Sequence, residues 1–217
     1  MLQVRGPRRG RRVLPRAQAT AVHGSLTRDG YAVVRGVVDS AYLATARERL
    51  ASLAGDGALR TGPIELFDDL TAHAGLVAIA GEALGADVVA FGCTFVVKPP
   101  RTGLPARWHQ DGEPWAARGI TRAVTLGVAL DATTESNGCL RVIPGSHRLA
   151  AQPLRPVTDP ANVFGAEIDP ALVDESLAVA VPLEPGDVSV HLPSLIHGSD
   201  ANTSDAPRTT LVLRYRA

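Results

Sequence analysis

The run Val88-Val-Ala-Phe-Gly-Cys-Thr-Phe-Val-Val-Lys98, closed by Pro99-Pro100, marks the point where the sequence changes from helical to β-prone. It is rich in β-branched and aromatic residues, which are typical of strands. Five further β-prone runs follow, separated by turn-forming Pro, Gly, Asn and Asp residues. These runs are Ala123–Leu130, Cys139–Ile143, Leu177–Val181, Asp187–Leu192 and Thr209–Tyr215. Many short strands at this spacing predict a mainly β protein, either a sandwich or a jelly roll.

On the N-terminal side of this run, helical segments predominate. The predicted elements are a strand at Tyr31–Val38, a helix from Asp39 or Ser40 to about Leu53, and a second helix at Leu70–Leu84. Gly85 is placed to cap the second helix. We expect these helices to flank one sheet. Farther along the chain, Ala150–Ser176 is interrupted by prolines and weakly periodic, which makes it a candidate lid or active-site loop.

Composition excludes several classes of protein. The chain of 217 residues has 22 Lys and Arg against 22 Asp and Glu, so its overall charge indicates no nucleic-acid or membrane partner. Cys93 and Cys139 have no recognisable spacing and are predicted to be buried, reduced thiols. No stretch approaches the ~18 apolar residues that a membrane span needs. We therefore expect a cytoplasmic protein; its oligomeric state is not predicted.

The N-terminus departs from this even charge. Six arginines occur from Arg5 to Arg16, before the first acidic residue, Asp29. We predict a disordered basic extension over residues 1–25 and one domain over residues 26–217. An arm that binds nucleic acid is the alternative, because such clusters attract phosphates.

The segment Trp108-His109-Gln110-Asp111 contains two candidate metal ligands. In an extended backbone, side chains two residues apart point to the same face, so His109 and Asp111 converge. An imidazole beside a carboxylate supplies two of the three ligands of a 2-His-1-carboxylate site, which leaves adjacent positions on Fe(II) open. A purely structural His–Asp hydrogen bond would have the same sequence pattern.

A second cluster lies near the C-terminus. His197 follows a β-prone run and could complete the triad from a neighbouring strand. His191 precedes it by six residues and could approach the same site. Arg208 begins the last β-prone run, and its guanidinium can form a bidentate pair with a carboxylate. The alternative is that Arg208 is a surface residue beside a turn.

Together these motifs resemble the phytanoyl-CoA dioxygenase family. The motifs are Trp108-His109-Gln110-Asp111, the central stretch from Ser136-Asn137-Gly138 to Ser146-His147-Arg148, and His197-Gly198-Ser199 followed by Pro207-Arg208. Their order and the eleven-residue step from His197 to Arg208 agree with the family. The resemblance covers Leu26 to Tyr215, nearly the whole chain.

The resemblance implies a double-stranded β-helix core (a jelly roll of the cupin-like kind) that binds Fe(II) and 2-oxoglutarate. It implies that His109, Asp111 and His197 are the metal ligands and that Arg208 pairs with the distal carboxylate of 2-oxoglutarate. Two weaker candidates for the 2-oxoglutarate pocket are Lys98 and Thr125. A narrower similarity to the ectoine hydroxylase subgroup suggests that Trp115 contacts substrate. No catalytic residue is predicted beyond the metal ligands, and Gly127, where many relatives carry a large aromatic residue, would widen the pocket.

The implied function is hydroxylation of a small molecule, of secondary-metabolite or amino-acid-derived type, with release of succinate and CO2. Asp111 favours hydroxylation, because related halogenases replace this carboxylate with a small residue. One alternative is a cupin-like metal-dependent oxygenase or isomerase that does not use 2-oxoglutarate, and Arg208 discriminates against it. Another is a jelly-roll binding module without turnover.

Overall fold

The computed structural model describes residues 16–157 and 162–217. The helices are α1 (Arg16–Asp29), α2 (Ser40–Ser52), α3 (Asp68–Thr71), α4 (Ala74–Leu84) and α5 (Gly112–Ala116). The strands are β1 (Tyr31–Val34), β2 (Leu59–Thr61), β3 (Val89–Lys98), β4 (Ala106–His109), β5 (Ala123–Ala129), β6 (Leu140–Val142), β7 (Leu154–Pro156), β8 (Ala166–Ile168), β9 (Val179–Val181), β10 (Val188–His191), β11 (His197–Ser199) and β12 (Arg208–Arg216). Short 3-10 helices occupy Ile64–Phe67, Ser146–Arg148, Pro170–Leu172 and Glu175–Leu177.

Two antiparallel sheets form the framework. The larger sheet has the order β1-β10-β5-β12-β3-β2, and the smaller has the order β4-β11-β6-β9. A separate hairpin joins β7 and β8. All six β-prone runs identified in the sequence form strands, and the mainly β jelly-roll fold with flanking helices is confirmed. The runs form separate strands because the turn-forming residues between them end each strand and let the chain reverse direction. Each strand can then pair with one that is distant in sequence.

The larger sheet has one face towards the helices and the other towards the smaller sheet. Along β12, Leu211, Leu213 and Tyr215 belong to the main hydrophobic core beneath the helices. The alternate residues, at positions 208, 210, 212 and 214, line a cavity between the two sheets. This division follows from the two-residue period of a strand. One face of the larger sheet therefore packs against the core, and the other lines the cavity.

The predicted caps of α2 and α4 are confirmed. The side chain of Asp39 accepts a hydrogen bond from the backbone N–H of Tyr42, which caps the start of α2. Gly85 ends α4 in the left-handed region, at φ 61°. The four residues after β1 differ from the predicted strand Tyr31–Val38: the strand ends at Val34, and the backbone N–H of Gly36 donates to the Asp187 carboxylate instead of continuing a ladder.

The predicted helix over Leu70–Leu84 is wrong as one continuous element. It is divided into α3 and α4 at Ala72 and His73, and His73 has a non-helical backbone (φ −59°, ψ 122°). The ring of His73 packs edge-on against Tyr42 of α2, with ring centroids 5.0 Å apart. This tertiary contact accompanies the change in chain direction, which local helix propensity cannot predict.

Helix α1 begins at Arg16, before the predicted start of the domain at residue 26. Val22 and Leu26 of this helix are buried in the main core. The ordered chain therefore starts before residue 26, because apolar residues four apart on α1 pack beneath the same core. Residues 1–15, with most of the arginines, lie outside the described residues. None of the helices described is long and apolar enough to cross a membrane.

Candidate metal centre

The three predicted ligands meet at the end of the smaller sheet. His109 is the last residue of β4 and His197 the first of β11, and these strands pair with the two histidines opposite each other. Asp111 follows β4 directly. One ligand atom from each side chain lies within 4.8 Å of the others, with 3.9 Å between His109 Nε2 and the nearer Asp111 oxygen. The triad thus comes from one strand pair and the turn after it.

Backbone carbonyls fix the orientation of both imidazoles. His109 Nδ1 lies 2.8 Å from the carbonyl of Arg107, and His197 Nδ1 lies 2.9 Å from the carbonyl of Leu195. A carbonyl only accepts hydrogen bonds, so the proton of each neutral ring is on Nδ1 and the lone pair on Nε2 is available to a metal. Burial, followed by the neighbouring histidine, lowers the pKa of each ring to about 4. Both rings are therefore neutral at pH 7, which is the form that binds metal.

The carboxylate of Asp111 stays ionised despite its burial. Burial raises its pKa, but the approach of His191 and the fields of His197 and His109 outweigh this, so the pKa lies well below its usual range. His191 Nε2 is 3.8 Å from Asp111 Oδ2, which is too far for a hydrogen bond. Thr125 donates to the same oxygen at 3.3 Å. Both side chains lie on the larger sheet, and the hydrogen bond from Thr125 orients the carboxylate.

A cavity of about 620 Å³, counting its open mouth, lies between the sheets at this triad. The larger sheet provides most of the wall, including Gly127 and Ser189, and the smaller sheet provides His109 and His197. Phe164, from the segment predicted as a lid, packs on His109 with ring centroids 4.7 Å apart. That segment therefore contributes directly to the site.

Arg208 lies at the far end of this wall, as the first residue of β12. It is 6% exposed and lines the cavity. Its Nε is buried and has no hydrogen-bond partner in residues 16–157 and 162–217. Burial lowers its pKa to about 10, so it stays positively charged at pH 7. A buried guanidinium without a partner is costly, and an anionic ligand would remove that cost.

The three weaker candidates are in different places. Thr125 lines the cavity, beside the metal ligands. Lys98 lies opposite Arg208 on β3, but its ammonium donates to Ser199 Oγ at 2.7 Å and to the carbonyl of Asp200, and it is not among the described residues of the cavity wall. Trp115 is buried outside the wall as described. The structure brings Thr125 to the triad and separates the other two from it.

The cavity residues that had not been singled out from the sequence include Phe164, Ser189, Thr210 and Arg214. Phe164 lies in a non-periodic segment, so no sequence signal identifies it. Arg214 and Thr210 could have been found, because both alternate with Arg208 along a predicted strand and must share its face. Gly127 lets the Ser189 side chain approach closely, because a Cβ there would meet Ser189 Oγ at 2.6 Å; the widening of the pocket at Gly127 stays a prediction.

A jelly roll with a 2-His-1-carboxylate triad and a buried arginine in one cavity is typical of non-haem, metal-dependent oxygenases. The family model for phytanoyl-CoA dioxygenase (PhyH) matches residues 54–210, and the chain belongs to this family. The resemblance noted in the sequence is thereby confirmed.

Similar proteins agree with this assignment. The chain is 32% identical over 165 residues to a probable alpha-ketoglutarate-dependent hypophosphite dioxygenase of Stutzerimonas stutzeri, covering 70% of this chain and 54% of that protein. It is 33% identical over 161 residues to an ectoine dioxygenase of Sphingopyxis alaskensis, covering 68% and 53%. The chain spans about half the length of these relatives.

Among solved structures, EvdO2 from Micromonospora carbonacea var. aurantiaca complexed with 2-oxoglutarate superposes with a TM-score of 0.77 at 26% identity, covering 91% of this chain and 90% of that one. Together with the triad and the unpartnered Arg208, this similarity shows that the site fits iron and 2-oxoglutarate.

Proposed function

We propose that this protein is an Fe(II)- and 2-oxoglutarate-dependent dioxygenase that hydroxylates a small molecule of secondary-metabolite or amino-acid-derived type. One observation carries the proposal: three side chains arranged to hold a metal ion and a buried, unpartnered Arg208 line the same cavity. A metal-dependent oxygenase without 2-oxoglutarate would have no need of that arginine. The cytoplasmic location expected from the sequence stays a prediction.

The roles of the residues follow from their positions. His109, Asp111 and His197 would hold Fe(II), and Arg208 would bind the distal carboxylate of 2-oxoglutarate through paired N–H donors. Thr210 follows on the same face of β12, and its buried hydroxyl has no partner within the described chain, so it can donate to the same carboxylate. When bound, Fe(II) and 2-oxoglutarate use O2 to place one oxygen atom on the substrate and the other in succinate, with release of CO2.

The protein contributes orientation and exclusion of water. Thr125 holds the Asp111 carboxylate in place through its hydrogen bond, and the backbone carbonyls hold both histidine rings. Phe164 covers one side of His109. Because these groups are set before ligands arrive, little reorganisation is needed when the substrate binds.

Anaerobic titration of the full chain with Fe(II) and 2-oxoglutarate tests the proposal, because the chelate has a visible charge-transfer band. We expect the band in wild type. In Arg208→Ala, which loses the charge-assisted hydrogen bonds, we expect affinity for 2-oxoglutarate to fall about 10- to 100-fold. Arg216→Ala is the matched control, since Arg216 is exposed at the other end of the same strand.

The outcomes separate the alternatives. A band that weakens in Arg208→Ala but not in Arg216→Ala supports 2-oxoglutarate as co-substrate. Metal-loaded wild type without any band would exclude the proposal and favour the cupin-like oxygenase or isomerase. A band without any oxidised product from any substrate would favour the binding module.

A further inference from the structure

Arg214 is a second arginine in the cavity wall, and the proposed function does not use it. It lies on β12, six residues after Arg208 and on the same face. In the larger sheet, Arg214 pairs with Thr125, and Thr125 pairs in turn with His191. These are the two residues of the larger sheet whose side chains approach the Asp111 carboxylate. Arg214 therefore stands in the row of the sheet that faces the metal ligands, whereas Arg208 stands three rows away.

The side chain of Arg214 is held in place by its surroundings. Its Nη1 donates to Thr94 Oγ1 at 3.2 Å, and its guanidinium carbon lies 5.8 Å from the centre of the Trp115 ring. Trp115 is itself packed edge-on against Phe91 at 5.2 Å. These contacts orient the guanidinium without neutralising its charge.

Arg214 has no carboxylate partner in the described part of the chain. Asp111 is the only acidic residue among the described residues of the cavity wall, and the two do not form an ion pair. The positive charge of Arg214 also lowers the pKa of all three metal ligands, which places it within electrostatic reach of the centre. A half-buried cation facing a site of this kind is a candidate for binding an anion.

With Fe(II) and 2-oxoglutarate bound, the charges in the cavity would balance except for that of Arg214. The charges of Fe(II) and Arg208 are balanced by those of Asp111 and the two carboxylates of 2-oxoglutarate, and the two ligand histidines are neutral. The charge of Arg214 is then left over in a cavity of low dielectric constant. Unbalanced charge in such a cavity is unfavourable, and a substrate with one negative group would neutralise it.

We propose that Arg214 is the substrate-recognition residue of this site and that it binds an anionic group, a carboxylate or a phosphonate, of a small substrate. The proposal rests on the proposed function, because it assigns the substrate class of that same cavity. Arg208 would hold the co-substrate at one end of the wall, and Arg214 would hold the substrate anion beside the metal ligands. The buried Trp115 would act indirectly, by supporting Arg214 from behind.

The test uses the full chain loaded with Zn(II), a diamagnetic substitute for Fe(II), and saturated with 2-oxoglutarate. The chain has two tryptophans, so its indole N–H signals are two, and Trp108→Phe assigns them. Methylphosphonate and acetate are titrated as minimal anions, and acetamide as the neutral counterpart. We expect the anions to shift the Trp115 signal saturably, because its ring lies under the guanidinium, and acetamide to leave it unchanged.

Two variants make the result specific. Arg214→Gln keeps a hydrogen-bonding side chain at this position, and we expect it to weaken anion binding about 10- to 100-fold. Arg216→Gln removes one positive charge from the exposed end of the same strand, and we expect a change of less than about twofold, since exposed charges are screened. Thermal melting of both variants establishes that they fold.

The proposal is overturned if neither anion shifts the Trp115 signal, if acetamide binds as well as the anions, or if Arg214→Gln binds anions like wild type. It is also overturned if Arg214→Gln loses the Fe(II)–2-oxoglutarate band as Arg208→Ala does, because Arg214 would then serve the co-substrate. Absence of the band in wild type is a separate result and counts against the proposed function alone.

Discussion

Acidification should destabilise the metal-free protein through the two ligand histidines. Their pKa of about 4 in the folded state compares with about 6.5 for a free histidine. Between these values the unfolded chain binds more protons than the folded chain, so the free energy of unfolding falls as the pH falls. The effect is absent above pH 6.5 and complete below pH 4.

The size of the effect follows from the same values. A pKa difference of about 2.5 corresponds to roughly 3 kcal/mol for each ring at 1.36 kcal/mol per pH unit. Two rings at full effect would remove a large part of the stability of an ordinary domain. At pH 4.5 most of this loss is already present. Urea denaturation of metal-free protein at pH 7 and pH 4.5, followed by circular dichroism, measures it.

Variants of His109 and His197 test whether these two residues cause the pH dependence of stability. The double variant His109→Gln/His197→Gln should lose most of the pH dependence, since neither position can then take up a proton. His23→Gln is the matched control, because His23 is exposed on α1, and it should leave the pH dependence intact. If the double variant and wild type have the same pH dependence, the two rings are not the groups that titrate, and the argument that they are held neutral fails.

Three further predictions concern the wall of the site and its support. Thr125→Val removes the hydroxyl that bonds Asp111 at 3.3 Å, so the dissociation constant for Fe(II) should rise about tenfold in equilibrium titration; an unchanged constant contradicts this role. Gly127→Ala should lower the free energy of unfolding by about 1 to 3 kcal/mol, because the new Cβ would meet Ser189 Oγ at 2.6 Å, and adding Ser189→Ala should recover part of the loss in a double-mutant cycle. Tyr215→Phe leaves a buried carbonyl of α3 without its 2.8 Å hydrogen bond and should cost about 1 to 3 kcal/mol in urea denaturation; a cost near zero would mean that water replaces the hydroxyl.

The sequence predicts most of the fold because its strands are short and sharply punctuated. Turn residues separate each run from the next between Val88 and Tyr215, and each run forms a strand. The metal ligands are predictable for a similar reason, since two of them are separated by one residue in an extended segment. Both kinds of inference need only local geometry.

Features that depend on tertiary contact could not be predicted. The break at His73 follows from packing against Tyr42, which is distant in sequence. Phe164 reaches His109 from a segment without periodicity. The approach of His191 was anticipated from spacing, but its partner, Asp111, was not, because the register between β10 and the small sheet is a property of the assembled jelly roll.

The hydrogen bonds to Arg107 and Leu195 have a consequence for how such a site can diverge. Each ligand histidine is oriented by the carbonyl two positions before it in its own chain segment. A main-chain acceptor is the same whichever amino acid carries it, so substitutions at those positions leave the tautomer unchanged. The orientation of the candidate metal ligands is therefore unaffected by substitutions at these two positions. Residues of the cavity wall can then be substituted during evolution without changing the orientation of the two histidines, so that a new substrate specificity can arise while the metal site is kept.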